Sequence, residues 1–111
     1  MTPYVQVLTS LGGKDDADRL ARLVVEQRLA ACAQVIGPIS STYWWHGELE
    51  TSTEWLCLIK TERVLYDELE AAMRSAHPYE TPEILAVSVE AGSEAYLAWL
   101  SGEVRSARGG R

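Results

Sequence analysis

The central part of the chain, from Ala31 to Thr61, consists of two strand-forming segments joined by a short turn at His46-Gly47-Glu48. Three adjacent aromatic residues, Tyr43-Trp44-Trp45, end the first segment, and Gly37-Pro38 interrupts it. Because proline cannot donate a ladder hydrogen bond, this pair predicts a bulge or an edge position. The first segment would measure about 50 Å if fully extended at ~3.3 Å per residue, whereas a domain of this size has a diameter of roughly 34 Å. The aromatic tip is therefore expected beyond the core of the domain, whether the hairpin overshoots its sheet or bends at Gly37-Pro38.

The aromatic tip of this hairpin requires a covering surface. Three adjacent large residues in a strand place rings on both faces, and monomers seldom tolerate an apolar patch of that kind in water. One interpretation is that one face packs on the chain's own helices while the other is simply exposed. The favoured interpretation is pairing with a neighbouring subunit, which covers both the rings and an open strand edge. The sequence therefore predicts self-association through residues 31–61.

Strand and helix patterns surround the hairpin in the order β-α-β-β-α-β-α. The predicted elements are a strand at Tyr4–Leu8, a helix from Lys14 to about Arg28, strands from Ala31 to Trp45 and onward to Thr61, a helix over Leu65–Ala76, a strand over Glu83–Val89 and a last helix capped by Ser93. This order predicts an α+β fold, a ferredoxin-like sandwich of a four-stranded sheet with helices on one face and an extra C-terminal helix. A doubly wound sheet would need a helix between every pair of strands, which the hairpin excludes. Residues 1–105 are assigned to this domain and residues 106–111 to a flexible tail.

Apolar periodicity within these elements predicts which residues share a face. One face of the first helix carries Ala17, Leu20, Ala21 and Val24, one face of the third strand carries Trp55, Cys57 and Ile59, and the apolar stripe of the last helix consists of Leu97, Leu100 and Val104. The opposite face of the third strand carries Leu56, Leu58 and Lys60.

Charge and composition exclude several classes of function. The formal net charge of −6 disfavours a generic phosphate-binding surface, so nucleic acid is not expected as a partner. The start of the chain lacks a basic region followed by an apolar core, and the apolar runs are too short to span a bilayer, so no membrane association is expected. Two cysteines without a CxxC spacing fit a reducing compartment. We therefore expect a cytoplasmic protein.

The densest polar motif is His77-Pro78-Tyr79-Glu80-Thr81-Pro82-Glu83. Its two prolines stiffen the segment and fix how the side chains between them are presented. Imidazole and carboxylate groups together are ligands for transition metals. A histidine at a helix C-terminus followed by proline is also an ordinary helix stop, and no second histidine is nearby. Both interpretations remain open at this point.

The two cysteines lie on the two strands of the hairpin. A turn centred on Gly47 places Cys32 opposite Glu62 and Cys57 opposite Gly37. That register separates the thiols by roughly 16 Å, which is too far for a disulfide. It also makes Lys60 a diagonal neighbour of Cys32 on the same face. No phosphate-binding loop, nucleophile elbow or metalloprotease helix is present, and the chain is not expected to be an enzyme.

Five blocks of the sequence, taken together, are similar to the CutA divalent-cation tolerance proteins. These blocks are Arg28–Cys32, Tyr43–Gly47, Leu58–Thr61, His77–Glu83 and Tyr96–Trp99, in the same order and spacing over about residues 4–104. The resemblance implies a ferredoxin-like fold, a tight homotrimer built by the hairpins, and a cytoplasmic role linked to copper and other divalent ions.

The resemblance also implies a cleft between subunits and the residues near it. His77 is the metal-binding candidate, and the other expected cleft residues are Cys32, Lys60, Tyr79, Glu80 and Glu83. Some bacterial members carry a further cysteine and a paired histidine at positions that here correspond to Thr9 and Ala76. Binding of copper or another divalent cation is therefore expected to be weak.

A second hypothesis is a trimeric signalling or scaffold protein similar in architecture to the PII regulators. Such a protein would hold a small ligand or a partner protein in the intersubunit cleft, with Lys60 as the binding group. An enzyme that uses Cys32 as its nucleophile is the least favoured alternative.

Overall fold

The computed structural model describes residues 2–107 of the chain. The elements are β1 (Tyr4–Leu11), α1 (Lys14–Glu26), β2 (Cys32–Trp45), β3 (Glu48–Glu62), a 3-10 turn (Arg63–Leu65), α2 (Tyr66–Ala76), β4 (Leu85–Ser88) and α3 (Glu94–Glu103). The four strands form one antiparallel sheet in the order β2-β3-β1-β4. The predicted element order and the α+β class are confirmed. Most of the predicted tail, residues 108–111, lies outside the described residues.

One face of the sheet carries the core. Alternate residues of β1 and β3 are fully buried and pack with the apolar stripes of α1 and α2, because a period of two in a strand and of 3.6 in a helix each collect apolar side chains on one face. The central members are Val5, Val7, Leu20, Val24, Cys57, Ile59, Leu69 and Met73. The predicted stripe of α1 and the predicted alternation of β3 are both confirmed.

The other face of the sheet remains partly exposed. Ile36, Leu85 and Val87 lie on it, since their strand partners Leu56, Leu8 and Gln6 alternate with core residues. We call this surface the open face. The helix α3 lies toward one end of β3, where Ser101 Oγ donates to a carboxylate oxygen of Glu62 at 2.7 Å.

The pairing of β2 with β3 corrects the predicted register. Cys32 lies directly opposite Lys60, rather than opposite Glu62, and Cys57 lies opposite Val35 rather than Gly37. Half of the shift arises at the turn, which contains only His46 and Gly47, both with positive φ, so that Glu48 already belongs to β3. The other half arises at the bulge between Ile36 and Ile39. The sequence predicted the bulge at Gly37-Pro38 correctly but not its effect on the register.

The register correction shortens the separation of the two thiols. Cys32 and Val35, the residue opposite Cys57, are three positions apart along β2 rather than the predicted five, which corresponds to about 10 Å. Both cysteines are free thiols, Cys32 half-buried and Cys57 buried.

Beyond the bulge the hairpin leaves the sheet. The strand β1 pairs with β3 only from Trp55 onward, so residues 39–45 and 48–54 form a two-stranded extension. We call this segment the outer ribbon; its seven residue pairs extend roughly 23 Å at ~3.3 Å per residue. The molecule measures 45 × 27 × 25 Å in consequence. The overshoot predicted from hairpin length is therefore observed.

The last strand and the last helix both differ in part from the prediction. The strand β4 covers only Leu85–Ser88, because the preceding proline-containing segment does not pair with β1. The predicted stripe of α3 is only partly correct: Leu100 is buried, Leu97 is half-buried, and Val104 follows the end of the helix. The predicted cap is confirmed, since Ser93 Oγ accepts a hydrogen bond from the backbone N–H of Tyr96 at 3.3 Å.

Candidate functional site

The segment 77–83 begins where α2 stops. His77 has extended backbone angles and Pro78 follows it, so the chain cannot continue as a helix and turns back toward the end of β1. The imidazole of His77 is carried inward and is only 8% exposed. Its Nε2–H donates to the carbonyl oxygen of Ser10 at 3.0 Å, and Thr9 Oγ1 lies 3.1 Å from the same nitrogen. Its Nδ1 accepts the backbone N–H of Tyr79 at 3.2 Å.

These contacts determine the protonation of His77. A ring that donates from Nε2 and accepts at Nδ1 is neutral. Burial lowers the pKa of His77, and the hydrogen bond to Ser10 only partly offsets this. A metal ion at Nδ1 would have to displace the Tyr79 N–H. The ring therefore has a clear structural role, and its predicted role as a metal ligand stays a prediction.

Tyr79 links the segment to the outer ribbon. Its hydroxyl donates to Glu54 Oε2 at 2.7 Å, and Glu54 is only 6% exposed. Burial and, secondly, this hydrogen bond to a carboxylate raise the pKa of Tyr79. A Cβ at Gly12 would lie 3.0 Å from the tyrosine oxygen, so glycine at this position leaves room for the hydroxyl.

A pocket of about 570 Å³ lies between the segment 77–83 and the outer ribbon. Its lining residues are Ser10, Tyr43, Trp45, Glu50, Glu54, Tyr79, Glu80, Thr81, Pro82 and Glu83. The lining combines aromatic rings with carboxylates and contains no lysine or arginine. Three of the six predicted site residues, Tyr79, Glu80 and Glu83, are therefore brought together here.

The other predicted residues lie elsewhere in the chain. The ring of His77 is tilted against that of Tyr79, with centroids 4.8 Å apart, and His77 does not line the pocket. Cys32 and Lys60 face each other across the hairpin base and do not line the pocket. Lys60 Nζ donates to Gln34 Oε1. Burial and, to a smaller extent, the neighbouring Cys32 raise the pKa of Tyr96 at this end of the sheet.

Sequence reasoning missed the residues that the outer ribbon contributes. Tyr43 and Trp45 were recognised only as interface residues, and Glu50, Glu54 and Ser10 were not singled out. One signal was available, because Tyr43, Glu50 and Glu54 fall on one face of the ribbon once a two-residue turn is assumed. The approach of the segment 77–83 to that face is a long-range contact, which no local pattern predicts.

The positions of the acidic and thiol groups limit the chemistry that the candidate site can perform. Within residues 2–107 no three His, Cys, Asp or Glu side chains are close enough to hold a metal ion. Burial raises the pKa of Cys57 to about 11, which makes this thiol a poor nucleophile at neutral pH. In the same range no helix is long and apolar enough to cross a lipid bilayer.

Comparison with known proteins identifies the family. Residues 5–103 match the family model described as CutA1 divalent ion tolerance protein. Protein CutA 1, chloroplastic, from rice is 35% identical over 93% of this chain and 58% of the relative, so the chain spans little more than half of that protein. The divalent-cation tolerance protein CutA of Thermus thermophilus is 36% identical over 85% of this chain and 91% of the relative.

The fold agrees with this relationship. The crystal structure of CutA from Xylella fastidiosa superposes with a TM-score of 0.90 at 33% identity, covering 94% of this chain and all of the other. The sequence match over residues 5–103 and the structural superposition over 94% of the chain both cover nearly the whole domain. The chain belongs to the CutA1 divalent ion tolerance protein family.

Proposed function

We propose that this chain acts in tolerance to divalent cations, copper among them, as a cytoplasmic homotrimer that binds the cation weakly and has no catalytic activity. The observation that carries the proposal is the pocket between the outer ribbon and the segment 77–83, which Glu50, Glu54, Glu80 and Glu83 line without a basic residue. Carboxylate oxygen and imidazole nitrogen are acceptable ligands for divalent first-row metals. The matching family model is named for divalent ion tolerance, which supports a role of this chain in tolerance to divalent cations.

Weak binding follows from the same geometry. The imidazole of His77 is already engaged at both nitrogens, so a metal ion must compete with those hydrogen bonds. Thr9 provides a hydroxyl where the resemblance implies a softer thiol ligand in some relatives, and this hydroxyl lies 3.1 Å from His77 Nε2. The remaining candidate ligands are carboxylates, and within the described part of one chain no three His, Cys, Asp or Glu side chains are grouped closely enough to hold a metal ion.

The trimer is supported by the exposed apolar surface. Trp44 and Leu49 form a cross-strand pair near the ribbon tip and are 72% and 62% exposed. Ile36, Leu85 and Val87 are exposed on the open face. Large apolar side chains exposed in this way are typical of protein interfaces. The strand order β2-β3-β1-β4 favours the ferredoxin-like arrangement, in which an open sheet face is available for packing against neighbours.

The metal proposal is tested by titration calorimetry with Cu(II). The double variant Glu80→Gln/Glu83→Gln removes two pocket carboxylates, whereas Glu90→Gln/Glu94→Gln removes two exposed carboxylates outside the pocket. We expect the first variant to weaken Cu(II) binding severalfold and the second to leave it unchanged. Equal affinity in both variants would contradict a role for the pocket. Light scattering at micromolar concentration tests the trimer, and a monomer mass would refute it.

A second candidate function is supported by Lys60. Its ammonium group donates to the neutral amide of Gln34, and no carboxylate within residues 2–107 forms a salt bridge with it. An uncompensated cation beside Cys32 is suited to hold a small anion or an acidic partner in an intersubunit cleft, as the comparison with PII regulators implies. Lys60→Ala should abolish such binding, and an unchanged set of bound ligands and captured partners would exclude this candidate.

A further inference from the structure

The side chain of Glu54 is largely buried and has no cationic partner within residues 2–107. Its Oε2 accepts the hydroxyl of Tyr79, while its Oε1 accepts no hydrogen bond from any residue in that range and keeps contact with solvent. No salt bridge in that range involves this side chain. Buried charges in proteins are normally paired, because removal of a carboxylate from water is costly. This group lines the pocket, so a cation in the pocket would pair with the carboxylate oxygen that Tyr79 does not engage.

The walls around this carboxylate are aromatic. Tyr43, Trp45 and Tyr79 all line the pocket and remain partly exposed. The electron-rich faces of indole and phenol rings attract organic cations within about 6 Å, particularly where water is partly excluded. A bare metal ion gains little from such rings, since it requires oxygen, nitrogen or sulfur ligands. The aromatic lining therefore favours an organic cation.

The size of the pocket supports the same class of ligand. Its volume of about 570 Å³ lies within the range of small-molecule sites, roughly 300–1,000 Å³. A divalent metal ion would need its oxygen ligands at about 2.0–2.6 Å, and the carboxylates of the described residues do not converge to that extent. The spread of Glu50, Glu80 and Glu83 around the pocket instead suits a ligand with more than one positive group.

We propose that this pocket binds a small organic cation of the alkyl diamine or polyamine class. One ammonium group pairs with Glu54, the alkyl chain packs against Trp45 and Tyr43, and a second ammonium group reaches Glu50 or the carboxylates of the segment 77–83. The inference goes beyond divalent-cation tolerance and does not depend on metal binding.

The test is titration calorimetry of the full chain with 1,4-diaminobutane, and with 1,4-butanediol as the neutral ligand of similar length. We expect the diamine to bind at least tenfold more tightly than the diol, and increasing salt to weaken it. Trp45→Leu should weaken diamine binding about tenfold, whereas Trp44→Leu, which alters the adjacent ring outside the pocket, should change it less than twofold. Glu50→Gln should also weaken it, and Glu90→Gln, with the same change in net charge, should not.

The outcomes separate this inference from the metal proposal. Diamine binding that persists in a chain with no measurable Cu(II) affinity supports the organic-cation site and contradicts only the metal proposal. Equal affinity for diamine and diol, no diamine binding at millimolar concentration, or equal effects of Trp44→Leu and Trp45→Leu would each overturn it. If either tryptophan variant fails to fold, the pair Glu50→Gln and Glu90→Gln decides, because both side chains are exposed.

Discussion

The hydrogen bond from Tyr79 to Glu54 should make a measurable contribution to stability. Tyr79→Phe retains the ring and its 4.8 Å contact with His77 but removes the donor, so that the carboxylate of Glu54, a residue only 6% exposed, loses the hydrogen bond to its Oε2. Hydrogen bonds to charged groups contribute about 1.5–3 kcal/mol. Because Tyr79 is itself 37% exposed, water can partly replace the lost donor. We therefore expect a loss near the lower end of that range, about 1.5 kcal/mol in the free energy of unfolding.

The chain offers a matched control for this substitution. The hydroxyl of Tyr43 lies 3.1 Å from Ser52 Oγ in an exposed position, with neutral groups on both sides. Tyr43→Phe should cost less than about 0.5 kcal/mol, as surface changes usually do. Combining Tyr79→Phe with Glu54→Gln tests the charge directly, since the same hydroxyl deletion should cost less when its partner is a neutral amide.

The assay is guanidinium unfolding at pH 7, with one protein concentration for all variants so that any association affects them equally. Equal losses for Tyr79→Phe and Tyr43→Phe would refute the reasoning. The same conclusion would follow if Tyr79→Phe cost as much in the Glu54→Gln background as beside the native glutamate, because the carboxylate would then have no special need of its donor.

Three further predictions concern the bulge, the thiols and the buried imidazole. Gly37→Ala should lower the free energy of unfolding by about 1–3 kcal/mol, because the added Cβ would clash with the indole of Trp55. Denaturant unfolding should show that adding Trp55→Leu recovers most of this loss. A cost of Gly37→Ala below about 0.5 kcal/mol, the usual size of a surface change, would exclude the clash. A maleimide at pH 7 should label half-buried Cys32 and leave Cys57 unmodified, because Cys57 is fully buried and its pKa is raised to about 11. Mass spectrometry of the Cys32→Ser variant should therefore detect no fast labelling. Rapid modification of that variant would contradict the burial of Cys57. Burial lowers the folded-state pKa of His77, so the stabilising effect of the neutral imidazole is present above the unfolded pKa of about 6.5 and decreases as pH falls, by at most about 1.4 kcal/mol per pH unit. The free energy of unfolding of His77→Asn should therefore change less between pH 6.5 and 5 than that of the native chain. Parallel pH profiles of the two proteins would show that the imidazole does not titrate on unfolding.

Local patterns predicted the parts of the fold that are locally determined. The stripe of α1 and the alternation of β3 follow directly from helix and strand periods, so Leu20 and Val24 were grouped correctly on one helix face and Ile59 with Cys57 on one strand face, and both faces are buried in the core. The register of the hairpin was not predictable to one residue. It depends on whether His46-Gly47 turns with two residues or three, and on how many residues the bulge at Gly37-Pro38 adds.

The candidate site was only half predictable for a related reason. The polarity of the segment 77–83 identified Tyr79, Glu80 and Glu83, but not their partners on the outer ribbon. Glu54 appears in the sequence as an ordinary strand glutamate, and its burial arises only because a segment 25 residues away returns over it. Cys32 and Lys60 were correctly expected to be neighbours, although their direct pairing at the other end of the hairpin separates them from the pocket within one chain.

The outer ribbon has a consequence for local unfolding. Within the described part of a single chain, its two strands pair only with each other over seven residue pairs, and an isolated two-stranded ribbon is marginally stable in water. In the unassembled chain, its backbone amides should therefore exchange with solvent through local opening, well before those of β1, which is paired on both sides. Opening of the ribbon also removes Tyr43, Trp45 and Glu50 from the pocket wall, so any ligand that requires the closed pocket must slow amide exchange in the ribbon. A map of hydrogen exchange across residues 39–54 thus becomes a detector for the ligand, even before its chemical identity is known.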